Sequence, residues 1–232
     1  MNTTKPFDVF KEMMPSSAKF VEKYILELNT PHDKLKTNFS HYLDEIQNKI
    51  YVEYLSLEEQ AFNKAIQDGL FGDKDSLSME KLKSFFLSVS QSRKSRAGKV
   101  FELIIENLLK YLNYPIDTQK KIQNLKIDFI LPSRKYYDID PLGTILLSAK
   151  RTFRERWKQV VSEADQSNTF FLATIDKDIT KIQLNEIQNS GIYVINTEKN
   201  INSIMHYKNS KNVISYEHFI DFHLDHQIKN WG

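Results

Sequence analysis

A lysine, Lys150, closes the apolar run Thr144-Ile145-Leu146-Leu147-Ser148-Ala149. An aspartate, Asp128, sits 22 residues upstream inside a second such run, Ile127-Asp128-Phe129-Ile130-Leu131. Thirteen residues past the lysine comes a carboxylate, Glu163, and between them lies the block Arg154-Glu155-Arg156-Trp157. These residue types suit the hydrolysis of a phosphodiester. Oxygen ligands hold a divalent cation that neutralises charge and activates water, and a fixed cation stabilises the attacked phosphate. Asp128 and Glu163 are candidate Mg²⁺ ligands, and Lys150 is the candidate for positioning the water and stabilising the developing charge. Taken alone the pattern is weak. An aspartate near a strand and a lysine at a strand end are most often edge charges or a surface salt bridge, and an Arg-Glu-Arg block is most often a solvated helix start.

The elements that must position these groups follow from hydrophobic periodicity. From about residue 91 the chain reads as a helix over 95–112, with an apolar face at Phe101, Ile104, Ile105, Leu108 and Leu109. Strand-like runs follow at 127–131 and 144–149, then a helix at about 154–166, a strand at 169–174, a helix near 179–188, a strand at 192–196 and a terminal helix around 215–226. Apolar strands alternating with helices imply an α/β core, a sheet covered on both faces. On the expected helix after Lys150, Trp157, Val160, Val161 and Ala164 form the buried face, so Trp157 is read as a core anchor. Arg156, Gln159 and Glu163 share a second stripe, which turns Glu163 and Arg156 toward one cleft. Arg154 lies off that stripe, at the helix entrance.

Residues 1–90 read as an N-terminal helical region. Phe20, Tyr24 and Leu28 recur at helical spacing, as do Phe39, Tyr42, Leu43, Ile46 and Ile50, with breaks at Pro15 and Pro31. The aromatic stripes here read as core or dimer interface. Residues 91–232 form the second part.

Composition excludes several classes. The chain has 232 residues, 41% of them hydrophobic, which is enough for a real core. It has no cysteine, so disulfides and thiolate metal sites are impossible, in keeping with a reducing cytoplasm. No run approaches about 18 apolar residues, so no membrane span is expected. The net charge of +2 argues for nothing, but the arginines are informative. All six, Arg93, Arg96, Arg134, Arg151, Arg154 and Arg156, fall in the middle of the chain. Arginine forks onto phosphate and onto the guanine O6 and N7 atoms. The cluster Arg93, Lys94, Arg96 and Lys99 reads as a phosphate clamp at a helix N-terminus, with a solvated basic turn as the rival. The histidines show no ligand spacing, and His223 and His226 read as surface residues. Gly98 lacks the context of a nucleotide-binding loop.

Two multi-residue blocks in order carry a resemblance. Lys150-x-Thr152-x-Arg154-Glu155-Arg156-Trp157, with Glu163 after it and Asp128 before it, is similar to the restriction endonucleases of the EcoRII/SsoII group. That group lies in the PD-(D/E)xK nuclease superfamily and is related to the NgoMIV-type enzymes. Ser92-Arg93-Lys94-Ser95-Arg96-Ala97-Gly98-Lys99-Val100-Phe101-Glu102 is similar to that group's Ser-Arg-x-x-Arg-x-Gly-Lys-x-x-Glu block. The resemblance covers roughly residues 88–200.

It implies a PD-(D/E)xK core, a central mixed sheet flanked by helices, behind the N-terminal helical region. Asp128 matches the metal-binding aspartate, although Ile127 stands where the superfamily name has proline. Lys150 matches the catalytic lysine. Ser148 replaces the usual acidic residue two positions before it, and Glu163 takes over that acidic role. Glu102 matches a helix glutamate that supports the metal site. Arg154, Glu155 and Arg156 match residues that read a CC:GG core in the major groove, arginine forking onto guanine and glutamate accepting from the cytosine amino group. The implied function is that of a type II restriction endonuclease, cutting both strands of a short palindromic site of CCNGG, CCWGG or CCGG type with Mg²⁺. The implied partners are double-stranded DNA, a second copy in a homodimer or a higher oligomer, and a cognate DNA methyltransferase in the same system. Some relatives extrude a central base pair onto an aromatic side chain, for which Phe20, Tyr24, Phe39, Tyr42 and Tyr51 are candidates. Two alternatives stand beside this reading: a repair or junction-resolving nuclease of the same fold, and a DNA-binding module with a decayed active site.

Overall fold

The computed structural model describes residues 4–73, 76–122, 125–153 and 170–231. The first part is helical. Helices α1 (Pro6–Met13), α2 (Ser17–Leu26) and α3 (His32–Thr37) lead into the long α4 (Phe39–Gln67). A two-residue-strand hairpin, β1 (Gly72–Asp73) and β2 (Ser76–Leu77), then turns the chain into α5 (Met79–Tyr111). Pro15 and Pro31 fall between helices, where a missing N–H costs nothing.

The helix expected from residue 95 begins earlier, at Met79, capped by the Ser78 hydroxyl, which accepts from the Lys81 amide at 3.3 Å. It then runs without a break through residue 90 to Tyr111. This corrects one expectation: Arg93, Lys94, Arg96 and Lys99 lie in the middle of a helix, so no free backbone N–H groups or helix-dipole charge assist them.

Six strands form one mixed sheet in the order β3 (Asp117–Ile122), β4 (Leu125–Leu131), β5 (Ile145–Ala149), β6 (Phe170–Ala173), β7 (Ile192–Asn196), β8 (Val213–Ser215). β3, β4 and β5 pair antiparallel, and β5 through β8 pair parallel. A short α6 (Arg134–Tyr137) joins β4 toward β5. Helix α7 (Lys181–Asn189) makes the β6-to-β7 crossover, opened by a Thr180–Gln183 capping box and stopped at Gly191, whose φ of +73° suits glycine. Helices α8 (Glu198–Ser203) and α9 (Met205–Lys208) lead to β8. The expected α/β core, a mixed sheet flanked by helices, is borne out.

The sheet has a core on each face. On one, Phe101, Ile105 and Leu108 of α5 pack with Phe129, Leu147 and Phe171 of the sheet, and the same cluster takes in Phe10, Phe20 and Leu43 of the N-terminal helices. On the other, Ile130, Leu146, Leu172 and Val194 pack with Leu184 and Ile187 of α7 and with Phe153. Each such buried side chain contributes on the order of 2 kcal/mol.

The chain ends in a helical segment, α over Tyr216–His218, π over Phe219–Leu224 and α again over Asp225–Gln227. It is tied to the N-terminal helices: Asp225 pairs with Lys36 at 2.7 Å, and Glu217 accepts from the Ser40 amide at 2.6 Å. His226 on this segment is exposed, but His223 is half-buried, its ring against Phe171, Phe219 and Tyr193. Burial, with a smaller push from His218 and His226, holds the His223 imidazole below its ordinary pKa of 6.5. The folded state therefore binds that proton more weakly than the unfolded chain does. Stability is full above about pH 6.5 and falls as pH drops from there toward the lowered value. His223→Phe, which keeps a ring in the box, is expected to flatten the slope of Tm against pH below 6.5.

Candidate active site

The site forms where β4 and β5 part. The antiparallel ladder pairs Leu131 with Ile145, Ile130 with Leu146 and Phe129 with Leu147, and goes no further. At the next step the Asp128 carboxylate takes over from the backbone: its Oδ2 accepts from the Ala149 amide at 2.9 Å. The same oxygen accepts from Lys150 Nζ at 2.7 Å. Lys150 itself is held by its amide, which donates to the Ala173 carbonyl at 2.9 Å on β6. Asp128 is 8% exposed, so its carboxylate is largely desolvated but satisfied by two donors. Both donors use Oδ2, leaving Oδ1 with no partner among the described residues.

Ser148, two residues before Lys150, is fully buried, and its hydroxyl has no partner among the described residues. This position offers no carboxylate. Glu102, on α5, is tied to β3: its Oε1 accepts from Lys99 Nζ at 2.8 Å and from Gln119 Nε2 at 2.7 Å. Glu163, Arg154, Glu155, Arg156 and the core role of Trp157 lie outside the described residues. Among the described residues, no group of three His, Cys, Asp or Glu side chains stands ready-made for a metal ion. The chemistry of the donors present still fits a hard divalent cation: carboxylate oxygens only, one of them free on Asp128.

A cavity of about 310 Å³ is lined by Tyr51 of α4, Arg93 and Arg96 of α5, and Arg151; its link to the pair is Arg151, the residue after Lys150, since neither Asp128 nor Lys150 lines it. Arg93 is held by Glu58, its Nε at 3.1 Å from the carboxylate, and Arg96 donates to the Pro15 carbonyl at 2.6 Å. Both guanidinium groups are thus fixed in place, while Lys94 is exposed on the same helix. Asp44 also lines the cavity, and burial raises its pKa above the ordinary 3.8. Of the five aromatic candidates for stacking, Phe20, Phe39 and Tyr42 are buried, and Tyr24 is bonded to Glu53. Tyr51 is 50% exposed and lines the cavity.

Sequence reasoning did not single out Arg151, although its place after Lys150 and among the clustered arginines was the available signal. Gln119 gave none, sitting in the polar stretch Asp117-Thr118-Gln119-Lys120-Lys121.

Among the described residues, no helix is long and apolar enough to cross a membrane. Over its full length the chain is similar in fold to solved DNA-bound structures. Metal-depleted Ecl18kI in complex with uncleaved DNA superposes with a TM-score of 0.83 at 24% identity, covering 99% of this chain and 87% of that one. A restriction endonuclease PspGI–substrate DNA complex gives 0.76 at 24% identity, covering 98% and 97%. In sequence, 142 residues are 35% identical to the type II restriction enzyme SsoII of Shigella sonnei, which is 56% of this chain and 46% of that enzyme. The type II restriction enzyme EcoRII of Escherichia coli is 29% identical over 201 residues, 79% of this chain and 48% of that enzyme. The chain thus spans about half the length of these curated relatives. The model of the family described as EcoRII C terminal matches residues 54–220, and this chain belongs to that family.

Proposed function

We propose that the chain is a type II restriction endonuclease that cuts both strands of a short palindromic DNA site in a Mg²⁺-dependent reaction. The observation that carries this reading is the Asp128–Lys150 pair at the parting of β4 and β5, in a chain of the EcoRII C-terminal family. In that reading Asp128 and Glu163 hold the cation, with Glu102 supporting it. The cation supplies charge neutralisation at the phosphate and a water of lowered pKa. Lys150 orients the attacking water and places positive charge against the phosphate oxygen. Water adds to phosphorus, the P–O3′ bond breaks, and the 3′ oxygen leaves with a proton.

Arg154, Glu155 and Arg156 read a CC:GG core, and Arg93, Lys94 and Arg96 contact phosphates from the middle of α5. Tyr51, half-exposed on the cavity, is the aromatic assigned in this reading to receive an extruded base. Two-fold DNA calls for two-fold protein, so the acting species is a homodimer with one site per strand. Its companion in the cell is a methyltransferase that protects the same site in the cytoplasm.

Digestion of a sequenced plasmid with Mg²⁺, with the fragment ends mapped, tests the reading. Discrete ends that share a palindrome with a CC:GG core are expected. Random ends, or intact plasmid over a range of Mg²⁺ and protein concentrations, would overturn it.

A further inference from the structure

Among the described residues, two that are not glycine have positive φ: Asn113, at +63°, and Gln119, at +50°. Asn113 follows the last turn of α5, where a left-handed residue is an ordinary helix stop. Gln119 sits inside strand β3, where every neighbour is extended and a left-handed residue has no such excuse. Its place in the register is telling. Thr118 pairs with Phe129 and Lys120 pairs with Ile127, so Gln119 faces Asp128 across the ribbon. The partner strand also departs from regular pleating at this step, because Ile127 and Phe129, two residues apart, pack into the cores on opposite faces of the sheet. The kink turns the Gln119 side chain to α5, where its amide donates to Glu102 Oε1 at 2.7 Å. Lys99 donates to that same oxygen at 2.8 Å. With two donors on Oε1, Oε2 has no partner among the described residues and is the oxygen left to act.

We infer that Gln119 is a positioning residue: the left-handed kink of β3 exists to hold Glu102 with Oε2 toward the metal and water beside Asp128. Strained backbone persists where the surroundings demand it, and such strain gathers at functional sites. The inference rests on the reading of Glu102 as a support of the metal site.

The test uses the full chain and Mn²⁺ alone, with free ion read by electron paramagnetic resonance and Tm measured alongside. Gln119→Gly removes the amide and relieves the positive φ. Gln119→Asn tolerates the same φ but carries its amide on a shorter arm. Both are expected to keep Tm at or near the wild-type value while weakening Mn²⁺ binding roughly tenfold, the lower end of what loss of a ligand-orienting partner does. Glu102→Gln is expected to weaken binding at least as much, and adding Gln119→Gly to it should cost little more. If Glu102→Gln weakens Mn²⁺ binding and both Gln119 variants match the wild type, Gln119 positions nothing and the inference is overturned. If Glu102→Gln itself binds Mn²⁺ like the wild type, the reading of Glu102 fails, and the role of Gln119 goes with it. If the variants lose Tm without losing Mn²⁺ affinity, the kink is merely structural, which also overturns the proposal.

Discussion

Lys150→Ala is expected to lower the rate of DNA cleavage by at least about 10³-fold while leaving DNA binding in Ca²⁺ within a few-fold of wild type. Lys150 is the cation that touches Asp128 Oδ2, and its backbone donates to the Ala173 carbonyl, so its ammonium is presented from the end of β5. Removing one pre-organised group aimed at transition-state charge costs on the order of 10²–10³. Losing water orientation at the same time raises the total. A loss of 10³ corresponds to about 4 kcal/mol of barrier. Binding depends instead on many phosphate contacts, of which this would be one. The substitution also leaves a mostly buried carboxylate with only the Ala149 amide, so stability in the absence of metal should fall by about 1–3 kcal/mol, read as a lower Tm. Ca²⁺, by occupying the site, should restore it. Lys150→Arg serves as the companion: the charge is kept but the longer, planar group cannot take the same place, so slow cutting with a normal Tm is expected. Cleavage that survives Lys150→Ala at wild-type rate would remove the pair from the catalytic centre.

What was legible in the sequence was the part written in apolar runs. β5 and β6 are buried throughout, as are residues 127–131 of β4 and all of β7 but Tyr193, and they read directly as hydrophobic segments; a charged residue inside such a run, Asp128, or at its end, Lys150, stands out. β3 escaped notice because it pairs with β4 alone and carries Asp117, Thr118, Gln119, Lys120 and Lys121. β8 escaped because it is three residues long. The start of α5 was misplaced because Ser92, Ser95 and Gly98 are poor helix formers, yet Phe85, Val89 and Val100 are buried on either side of them and keep the helix going. The Arg93–Lys99 block was therefore recognised as a motif while its place on the helix was misjudged. Gln119 and the Arg151 side of the cavity depend on which strands meet, and no local pattern carries that information.

The loop after β6 holds the Lys150-to-Phe153 segment, and Asp176→Ala is expected to lower Tm by about 6–12 °C. Asp176 is 6% exposed and has no lysine or arginine in hydrogen-bond contact among the described residues; its carboxylate is spent on backbone. One oxygen accepts from the Phe153 amide at 2.6 Å, the other from the Asp178 amide at 2.9 Å. Thr174 reaches the Arg151 carbonyl from the same side at 3.4 Å. Together these contacts hold Lys150 to Phe153 against the end of β6, with Phe153 plugged into the second core at 1% exposure. Alanine strands two backbone donors, one of them wholly buried. A charged hydrogen bond is worth about 1.5–3 kcal/mol, so about 3 kcal/mol in all is a conservative sum, and each kcal/mol shifts Tm by about 2–4 °C in a chain of this size. Asp176→Asn keeps one acceptor but turns an NH₂ toward the other donor, and should fall between the two. The consequence reaches the chemistry, because a segment loosened at Phe153 no longer fixes Lys150 and Arg151. Well below the new Tm, cleavage should drop by about tenfold or more, since misplacement by 1 Å can cost about 10². Calorimetry and plasmid cleavage on the same preparations separate the effects. A Tm within 2 °C of wild type would mean that Asp176 does not close this loop, and a lowered Tm with full cleavage at low temperature would mean that Lys150 is held by the sheet alone.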